Sequence, residues 1–247
     1  MRLALLTDLH ANREAVSACL LHAEQQQADR YAFLGDLVGY GADPAWVVDT
    51  VMHYVARGAI AVQGNHDHAA VCATRLQMHA EAREAIEWTR TRLSAAQLAF
   101  LEQLPLTAEQ DGLLFVHASA QQPSAWEYVS GSAEAARSME AEHCRIIFCG
   151  HVHDPALYRR TADGRIGCHT PRGGSHVPLQ LQHQYLAIPG SVGQPRDGIP
   201  SACYALFDDV SFELSYFRVP YDNGAAARKV IEVGLPIVFA MRLIEGL

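Results

Sequence analysis

Short apolar runs alternate with amphipathic stretches over the first 62 residues of the chain. Three runs are brief and apolar enough to be buried strands: residues 2–7, Tyr31–Leu34 and Ala59–Val62. Between them, residues 12–27 repeat apolar side chains at helical spacing behind a capping Asn12, and a second helix begins at Asp43-Pro44. This strand–helix–strand–helix–strand order predicts a parallel sheet with right-handed crossovers.

The pattern then changes, because residues 66–104 carry helical spacing without a strand signal. We predict a helical insertion there, with one helix capped at Ser94. The strands predicted beyond it are Leu113–Val116, Ile146–Cys149, Ala156–Arg160, Arg165–Thr170, Val177–Leu181, Tyr185–Ile188, Ala202–Phe207 and Ser211–Val219. A helix near 132–142 separates the first two, and residues 171–176 are expected to be a loop. The chain returns to helix over about 222–247.

A polar stretch able to bind metal follows each of five apolar runs. The stretches are Asp8-Leu9-His10, Gly35-Asp36, Gly64-Asn65-His66-Asp67, His117 and Gly150-His151-Val152-His153. In an open α/β sheet, ligands bind outside the carboxyl ends of the strands, so we expect these side chains to meet in one crevice. Taken alone, the stretch after Gly64 fits a polar turn capped by Asn65 equally well. The four similar stretches favour a ligand set.

The donors in this set are carboxylate and amide oxygens and imidazole nitrogens, without thiolates. Such a set suits Mn²⁺, Fe or Zn²⁺ better than Cu(I) or an iron–sulfur cluster. There are more donors than one ion needs, so two ions sharing a bridging carboxylate are expected, about 3.5–4 Å apart.

Composition adds exclusions to this picture. The formal net charge of −8 argues against docked nucleic acid, because phosphate backbones are bound by clusters of Lys and Arg. No apolar run approaches the roughly 20 residues of a membrane span, so no membrane partner is expected. Residues 1–7 lead straight into Asp8, which indicates a core strand and not a signal peptide. The six cysteines form no C-x-x-C pair, so we expect reduced thiols and a cytoplasmic protein.

In their order along the chain, the five stretches resemble the sequence blocks of the calcineurin-like metallophosphoesterase superfamily. Residues 39–44 and 189–198, and Gly234-Leu235-Pro236, are similar to a small prokaryotic branch of predicted phosphodiesterases. The resemblance implies the α/β class, as a four-layer α/β/β/α sandwich of two mixed sheets, and we expect residues 1–247 to form a single domain. The chain departs from the family at Ala118, where Gly is usual. Because Ala is small, we expect metal binding to survive.

The resemblance also implies roles for individual residues. One ion would be held by Asp8, His10, Asp36 and His153, and the other by Asp36, Asn65, His117 and His151. The ions would be two divalent metals, Mn in preference to Fe, Zn, Ni or Mg. A water bridging them would attack phosphorus. His66 is left as a catalytic group that stabilises the charge growing on the phosphoryl and leaving groups, and Asp67 is expected to orient His66.

Four residues are candidates for contacting the substrate: Arg196, Asn12, Tyr40 and His68. Arg196 follows a Gly- and Pro-rich loop and suits bidentate binding of a phosphate oxygen. A structural salt bridge is an equally good interpretation of that arginine.

Three functions compete at this point. The first is a phosphodiesterase acting on a small phosphorylated molecule or nucleotide, and the second is a phosphomonoesterase, including a protein Ser/Thr phosphatase. Family Ser/Thr phosphatases and diadenosine tetraphosphatases carry an Arg soon after the second-block Asp, whereas residues 37–41 here contain none, which disfavours both. The third is a non-catalytic binding module on the same fold. The complete set of metal-ligand types disfavours that module.

Overall fold

The computed structural model describes residues 1–72 and 78–247, and its twelve described strands form two six-stranded mixed sheets. The strands are β1 Arg2–Leu6, β2 Arg30–Phe33, β3 Ile60–Ala61, β4 Thr107–Gln110, β5 Leu113–Val116, β6 Ile146–Phe148, β7 Ala156–Arg160, β8 Ile166–His169, β9 Ser175–Pro178, β10 Gln184–Ile188, β11 Ala202–Asp208 and β12 Glu213–Val219. The first sheet has the order β3-β2-β1-β11-β12-β9, and the second has the order β4-β5-β6-β10-β7-β8.

The described helices lie mainly on the outer faces of the two sheets. They are α1 Arg13–Gln25, α2 Pro44–Val55, α3 Asn65–Val71, α4 Ala80–Arg92, α5 Ala95–Gln103, α6 Ser132–Glu140, α7 Asn223–Glu232 and α8 Ile237–Glu245, with one 3₁₀ turn at Pro123–Ala125. Asn12 caps α1 as predicted, since its side chain accepts from the Ala15 amide. Ser94 likewise caps α5.

Strand pairing explains why the carboxyl ends of key strands share one edge. β1, β2 and β3 are mutually parallel, as predicted, and β5, β6 and β10 are parallel in the other sheet. The antiparallel partner of β1 is β11, which makes the first sheet mixed. Parallel strands end on the same side, so the loops after β1, β2 and β3 leave together.

Alternation along the strands divides the apolar residues among three layers of core. Leu3 and Leu5 of β1 join Phe115 and Phe148 of the second sheet in a cluster between the sheets. Ala4 and Leu6 of the same strand face α1 and α2 instead. The outer face of the second sheet packs on α6. A strand with a period of two can supply both faces, which yields the α/β/β/α layering that the resemblance implied.

Some boundaries differ from the sequence predictions. β4 was not predicted, because Thr107–Gln110 is a polar segment at a sheet edge and carries little apolar signal. β9 lies at Ser175–Pro178, so it begins inside the predicted loop 171–176 and covers only the first two residues of the predicted strand Val177–Leu181. The described part of the region 66–104 consists of α3, α4 and α5 with short non-helical links, and residues 73–77 of it lie outside the described residues. Across the described residues, no helix is long and apolar enough to cross a membrane.

Helices α7 and α8 pack against each other and against the loop after β2. Their apolar residues form a cluster that includes Phe239 and Leu243, with Tyr40 packed against it. Lys229 of α7 contacts the carboxylates of Glu14 at 2.6 Å and Asp43 at 2.7 Å. The end of the chain is thereby fixed beside the loops that follow β1 and β2.

Candidate metal centre

The five polar stretches converge at one edge of the sandwich, as their positions after apolar runs predicted. Asp8 and His10 follow β1, and Asp36 follows β2. Groups with ligand atoms within 4.8 Å of one another are Asp8–His10–His153, His10–Asp36–His66 and Asp36–His117–His151. Every member of these groups is buried. The structure therefore brings together the seven predicted metal ligands and His66, with Asn65 joining through His117.

Asp8, His10 and His153 form the first half of the centre. The Nε2 atoms of His10 and His153 lie 3.1 Å apart. Asp8 Oδ1 lies 3.3 Å from His153 Nε2 and 3.9 Å from His10 Nε2. These three donors point at one common position.

His117, Asn65 and His151 form the second half. His117 Nε2 lies 3.1 Å from Asn65 Oδ1 and 3.2 Å from His151 Nδ1. Asp36 lies between the halves, because its Oδ2 is 3.8 Å from His10 Nε2 and 3.4 Å from His117 Nε2. A carboxylate in that position suits a bridge between two cations.

Hydrogen bonds to backbone carbonyls determine which nitrogen of three imidazole rings faces the centre. His10 Nδ1 lies 3.1 Å from the Val38 carbonyl, His153 Nδ1 lies 2.6 Å from the Gln194 carbonyl, and His117 Nδ1 lies 2.7 Å from the Leu34 carbonyl. Each Nδ1 must carry a proton to donate to its carbonyl, so a ring presents a bare lone pair at Nε2 whenever it is neutral. Lone pairs on His10 and His153 therefore face each other at 3.1 Å and repel unless a cation or proton lies between them. The residues fit a divalent cation, with carbonyls orienting the ligands.

Burial dominates the protonation of the other rings. It lowers the pKa of His151 to about 3 and that of His10 well below its ordinary value. Burial also opposes ionisation of Asp36, but the imidazoles of His117 and His66 hold the pKa of its carboxyl well below the usual range. His117 behaves differently: burial lowers its pKa, but Asp36 and Asp8 raise the pKa to about 9 overall. The centre thus combines ionised carboxylates with mostly neutral imidazoles.

The loops reach this arrangement through left-handed backbone. Asp8, His10, Asp36, His151 and His153 have φ angles of 52°, 46°, 51°, 69° and 70°. Such angles are unfavourable for residues with a Cβ and persist where the surroundings impose them. Backbone hydrogen bonds do so here: the amide of Asp8 donates to the Gly35 carbonyl at 3.1 Å, and that of His10 to the Asp36 carbonyl at 2.9 Å.

His66 lies beside the ligands, but the expected pairing with Asp67 is wrong. The Asp67 carboxylate accepts from the backbone amides of Leu37 at 2.9 Å, Val38 at 3.2 Å and Gly64 at 3.0 Å. His66 Nδ1 is buried without a hydrogen-bond partner within the described residues. Asp67 is committed to backbone, because the loop that carries Asp36 directs two amides toward it and Gly64, which caps α3, directs a third.

Gly39 takes the place where a partner for His66 would lie. A Cβ added at Gly39 would come 2.3 Å from His66 Nδ1, and the φ of Gly39 is +90°. His66 Nε2 points the other way and lies 4.0 Å from Asp36 Oδ2. Burial lowers the pKa of His66 to about 4. A neutral ring therefore packs on bare backbone and directs Nε2 into the centre.

Two of the four predicted substrate contacts border the centre. The Tyr40 ring lies 4.5 Å from the rings of both His10 and His66 and 4.7 Å from Phe239. The Arg196 guanidinium lies 5.9 Å from the Tyr40 ring. The structure shows no Asp or Glu paired with Arg196 among residues 1–72 and 78–247, so the salt bridge considered as its alternative is not found there.

The other two predicted contacts are engaged in the fold. Asn12 accepts from the Ala15 amide at 3.1 Å and donates to the Gly193 carbonyl at 2.8 Å, so both ends of its amide are used. His68 Nδ1 lies 3.2 Å from Gln63 Oε1. A role in substrate binding for either residue stays a prediction.

Sequence reasoning missed two aromatic residues that cover the second half of the centre. The Tyr128 ring stacks on His151 with centroids 4.0 Å apart and planes 18° apart. The Trp126 ring lies 6.0 Å from His117 and 6.0 Å from His68. Both follow β5 in a mainly polar loop, and that contrast is the signal that could have identified them.

Comparison with known proteins gives consistent results. The model of the calcineurin-like phosphoesterase superfamily domain matches residues 1–210. Protein MJ0912 of Methanocaldococcus jannaschii is 32% identical over 249 residues, covering 99% of this chain and 98% of its own. A metallophosphoesterase from Sphaerobacter thermophilus superposes with a TM-score of 0.88 at 34% identity, covering 100% of this chain and 99% of its own. Hypothetical protein PH1004 from Pyrococcus horikoshii shares the fold, with a TM-score of 0.78 at 17% identity over 100% of this chain and 98% of its own.

Proposed function

The chain belongs to the calcineurin-like metallophosphoesterase superfamily, and on that premise we propose that it hydrolyses phosphodiesters of small molecules or nucleotides with two divalent cations. Membership identifies a hydrolase of phosphoric esters. The choice of two cations and of diesters rests on the site itself.

The observation that carries the proposal is the need for positive charge on both sides of Asp36. On one side, His10 Nε2 and His153 Nε2 face each other at 3.1 Å, where two neutral rings would repel. On the other side, burial opposes protonation of His117, yet Asp36 and Asp8 raise its pKa to about 9, so a positive charge is favoured there too. Two divalent cations, held by the residues of the two halves, would supply that charge.

When bound, such cations polarise a phosphoryl oxygen and make water acidic enough to attack near neutral pH. The chain's own residues do the rest. Asp36 sets the spacing of the two halves, and carbonyls of the Val38, Gln194 and Leu34 peptides fix the ligand rings. His66 Nε2 faces the centre and can interact with the leaving oxygen or a phosphoryl oxygen. Tyr40 closes the side toward α8.

Two features favour diesters over monoesters. Residues 37–41, which follow Asp36, contain no arginine, whereas the family's Ser/Thr phosphatases and diadenosine tetraphosphatases carry one soon after the matching Asp. Among the residues that the structure describes, Arg196 is the one positive side chain placed beside the Tyr40 ring, and one such charge matches the single negative charge of a phosphodiester better than the two of a monoester. The substrate is thus a small monoanionic ester.

We propose Mn²⁺ as the preferred metal, since imidazole, carboxylate and amide donors suit it. We also propose the cytoplasm as the compartment. The structure forms no disulfide among its described cysteines, of which Cys19, Cys149 and Cys203 are buried. Burial raises the pKa of the Cys144 thiol to about 11, which keeps it protonated and slow to oxidise.

A metal-by-substrate screen tests the proposal. Protein stripped by a chelator is reloaded with Mn²⁺, Fe²⁺, Zn²⁺, Ni²⁺ or Mg²⁺ and assayed on bis(p-nitrophenyl) phosphate and p-nitrophenyl phosphate. We expect activity to return with about two equivalents of metal and kcat/KM to be higher for the diester. Preference for the monoester would instead assign a phosphomonoesterase, and binding of metal without turnover would assign a binding module.

A further inference from the structure

The loop after β5 holds two aromatic rings in fixed positions next to the metal ligands. Within it, the Ser119 amide donates to the Glu127 carbonyl at 3.1 Å. The Ala120 amide donates to Ser138 Oγ on α6 at 2.9 Å. Val129 is only 1% exposed and packs in the outer core. Tyr128 thus sits between an anchored neighbour and a buried one.

Tyr128 is anchored but open to solvent. One face of its ring covers His151 at 4.0 Å, yet the residue is 52% exposed. A ring that is half exposed while it is stacked has its other face available to a ligand. Because His151 belongs to the second half of the centre, the Tyr128 ring lies at the edge of that half.

Arg196 lies in the loop after β10, beside the Tyr40 ring. Its Nε is buried and has no hydrogen-bond partner among the described residues, while its Nη2 donates to Gln194 Oε1 at 3.2 Å. The Gln194 carbonyl in turn accepts from His153 Nδ1, which fixes the arginine relative to the ligands. A buried donor without a partner is costly, and an anion would satisfy it.

The Arg196 guanidinium lies near both Tyr40 and Tyr128. Burial, the larger effect, raises the pKa of Tyr40 and of Tyr128, while Arg196 lowers both because it lies near their hydroxyls. Arg196 also lies 5.9 Å from the Tyr40 ring. One cation and an open ring face therefore border the same space.

We propose that Arg196 and Tyr128 form a subsite that selects phosphodiesters carrying a flat ring on the esterified group that is retained after hydrolysis. Arg196 holds a phosphoryl oxygen, and the exposed face of Tyr128 stacks on the ring, with Trp126 beside it. The substrate class is then aryl or nucleoside phosphodiesters rather than alkyl ones. This inference rests on the proposed phosphodiesterase function. Stacking of a base or aryl ring on one aromatic side chain typically changes affinity about tenfold or more.

Binding of phosphinates tests the subsite without catalysis, because their phosphorus–carbon bonds are not hydrolysed. Isothermal titration of Mn²⁺-loaded protein compares diphenylphosphinate with dimethylphosphinate. We expect the wild-type protein to bind the diphenyl compound at least about tenfold more tightly. Tyr128→Leu should remove most of that ratio, and Tyr128→Phe, which keeps the ring, should preserve it. Arg196→Gln should weaken both compounds by a similar factor.

Turnover gives a second readout with the leaving group held constant. Phenyl p-nitrophenyl phosphate and methyl p-nitrophenyl phosphate both release p-nitrophenolate and differ only in the group that is retained. We expect Tyr128→Leu to lower kcat/KM about tenfold for the phenyl ester and less than about twofold for the methyl ester. Tyr128→Phe should resemble the wild type on both.

The outcomes separate the subsite from the function on which it rests. If Tyr128→Leu loses metal, or weakens both phosphinates equally, Tyr128 only supports His151 and the subsite is refuted. If the wild-type protein turns over neither ester with any metal, the proposed phosphodiesterase function fails. The phosphinate ratio would still show whether the ring-binding surface exists.

Discussion

Charged and polar side chains have different surroundings at the two ends of the sandwich. At the carboxyl ends of β1 and β2, Asp8 and Asp36 are buried among imidazoles. At the other end, Arg2 pairs with Asp208 at 3.1 Å and is 43% exposed, and the amino terminus pairs with Asp209. The charges at the amino-terminal end form ion pairs or face water. At the ligand end, by contrast, the Nε2 atoms of His10 and His153 face each other.

Cavity size would have identified the wrong end. A cavity of about 660 Å³ lies at the amino ends of the strands, lined by residues such as Glu109, Asp111 and Arg145. The cavity beside His10 and Tyr40 measures about 10 Å³. The arrangement of donors and acceptors, and not volume, distinguishes the end whose residues could hold metal ions.

The largest effect is expected from Asp36→Asn. The bridging charge disappears while the shape is kept, so both ions should be lost and phosphodiesterase activity should fall to the level of the chelated protein. Elemental analysis and kcat/KM measure the two effects. His153→Ala, which removes a ligand from one half, should cost mainly one ion. Two tightly held equivalents in Asp36→Asn would rule out the bridging role.

His66→Ala should keep both ions and lower kcat by about 10²–10⁴-fold, the usual range when proton transfer is included. His53→Ala, at an exposed position of α2, is the control, and it should retain most activity. The loss in His66→Ala should shrink for acidic leaving groups such as nitrophenolate, which need little protonation. Equal losses for good and poor leaving groups would mean that His66 stabilises the phosphoryl oxygens, and loss of metal would make it a ligand.

Gly39→Ala should lower kcat by about 10–100-fold, because the new methyl group must displace His66 from its position. Gly58→Ala provides the control: its φ is +96°, but a Cβ there meets nothing within 4 Å. Both variants should lose about 1–3 kcal/mol of unfolding free energy through backbone strain. Thermal denaturation measures that shared cost. Equal activity in the two variants would show that the ring of His66 is free to move.

The ligand end should also make the metal-free protein sensitive to acid. The folded-state pKa values of His66 and His151, about 4 and about 3, lie below the ordinary value. The unfolded chain therefore binds more protons below about pH 6.5, and stability falls as the pH falls. We expect a loss of about 1–2 kcal/mol per histidine between pH 6.5 and 5, measured by urea denaturation.

His151→Gln should make that dependence shallower, whereas His53→Gln on the surface of α2 should leave it unchanged. His117 has the opposite sign, because its pKa is raised to about 9 and its contribution is lost as the pH rises toward that value. Burial raises the pKa of the Asp67 carboxyl to about 7, and this group also opposes the two histidines, so the decisive comparison is between variants. A His151→Gln protein that loses stability between pH 6.5 and 5 as steeply as the wild type would contradict the protonation assigned to His151.

The smallest effect is expected at the other end. Arg2→Met keeps the apolar stem but removes the pair with Asp208, and exposed pairs contribute about 0–1 kcal/mol. Activity should not change. Measuring Tm and kcat/KM together tests the comparison directly, since a large fall in kcat/KM would show that the two ends are coupled.

Local patterns were sufficient to predict most of the scaffold and the convergence of the ligands. Apolar runs such as Leu113–Val116 mark strands because burial on both faces needs continuous apolar residues. The edge strand Thr107–Gln110 was missed because one partner and solvent contact leave it polar. The ligands of the centre follow strand ends, so topology alone brings them together.

What the sequence could not predict depends on contacts between distant loops. The Asp67 carboxylate was expected to orient the ring of His66, but it accepts hydrogen bonds from three backbone amides instead. Tyr128 stacks on a residue 23 positions away in sequence, and no local pattern encodes that contact. Arg196 lies near both tyrosines only because the loop after β10 crosses to β1, where the Gly193 amide donates to the Asp8 carbonyl at 2.8 Å.

The contact between Tyr40 and Phe239 has a consequence for how the site could evolve. The match to the family model ends at residue 210, whereas Phe239 lies on α8 and reaches, through Tyr40, the rings of His10 and His66. Substitutions in α7 and α8 can therefore change the surroundings of the metal centre and be subject to selection. Related proteins could acquire a new substrate through substitutions around residue 239 while every metal-ligand residue stays the same.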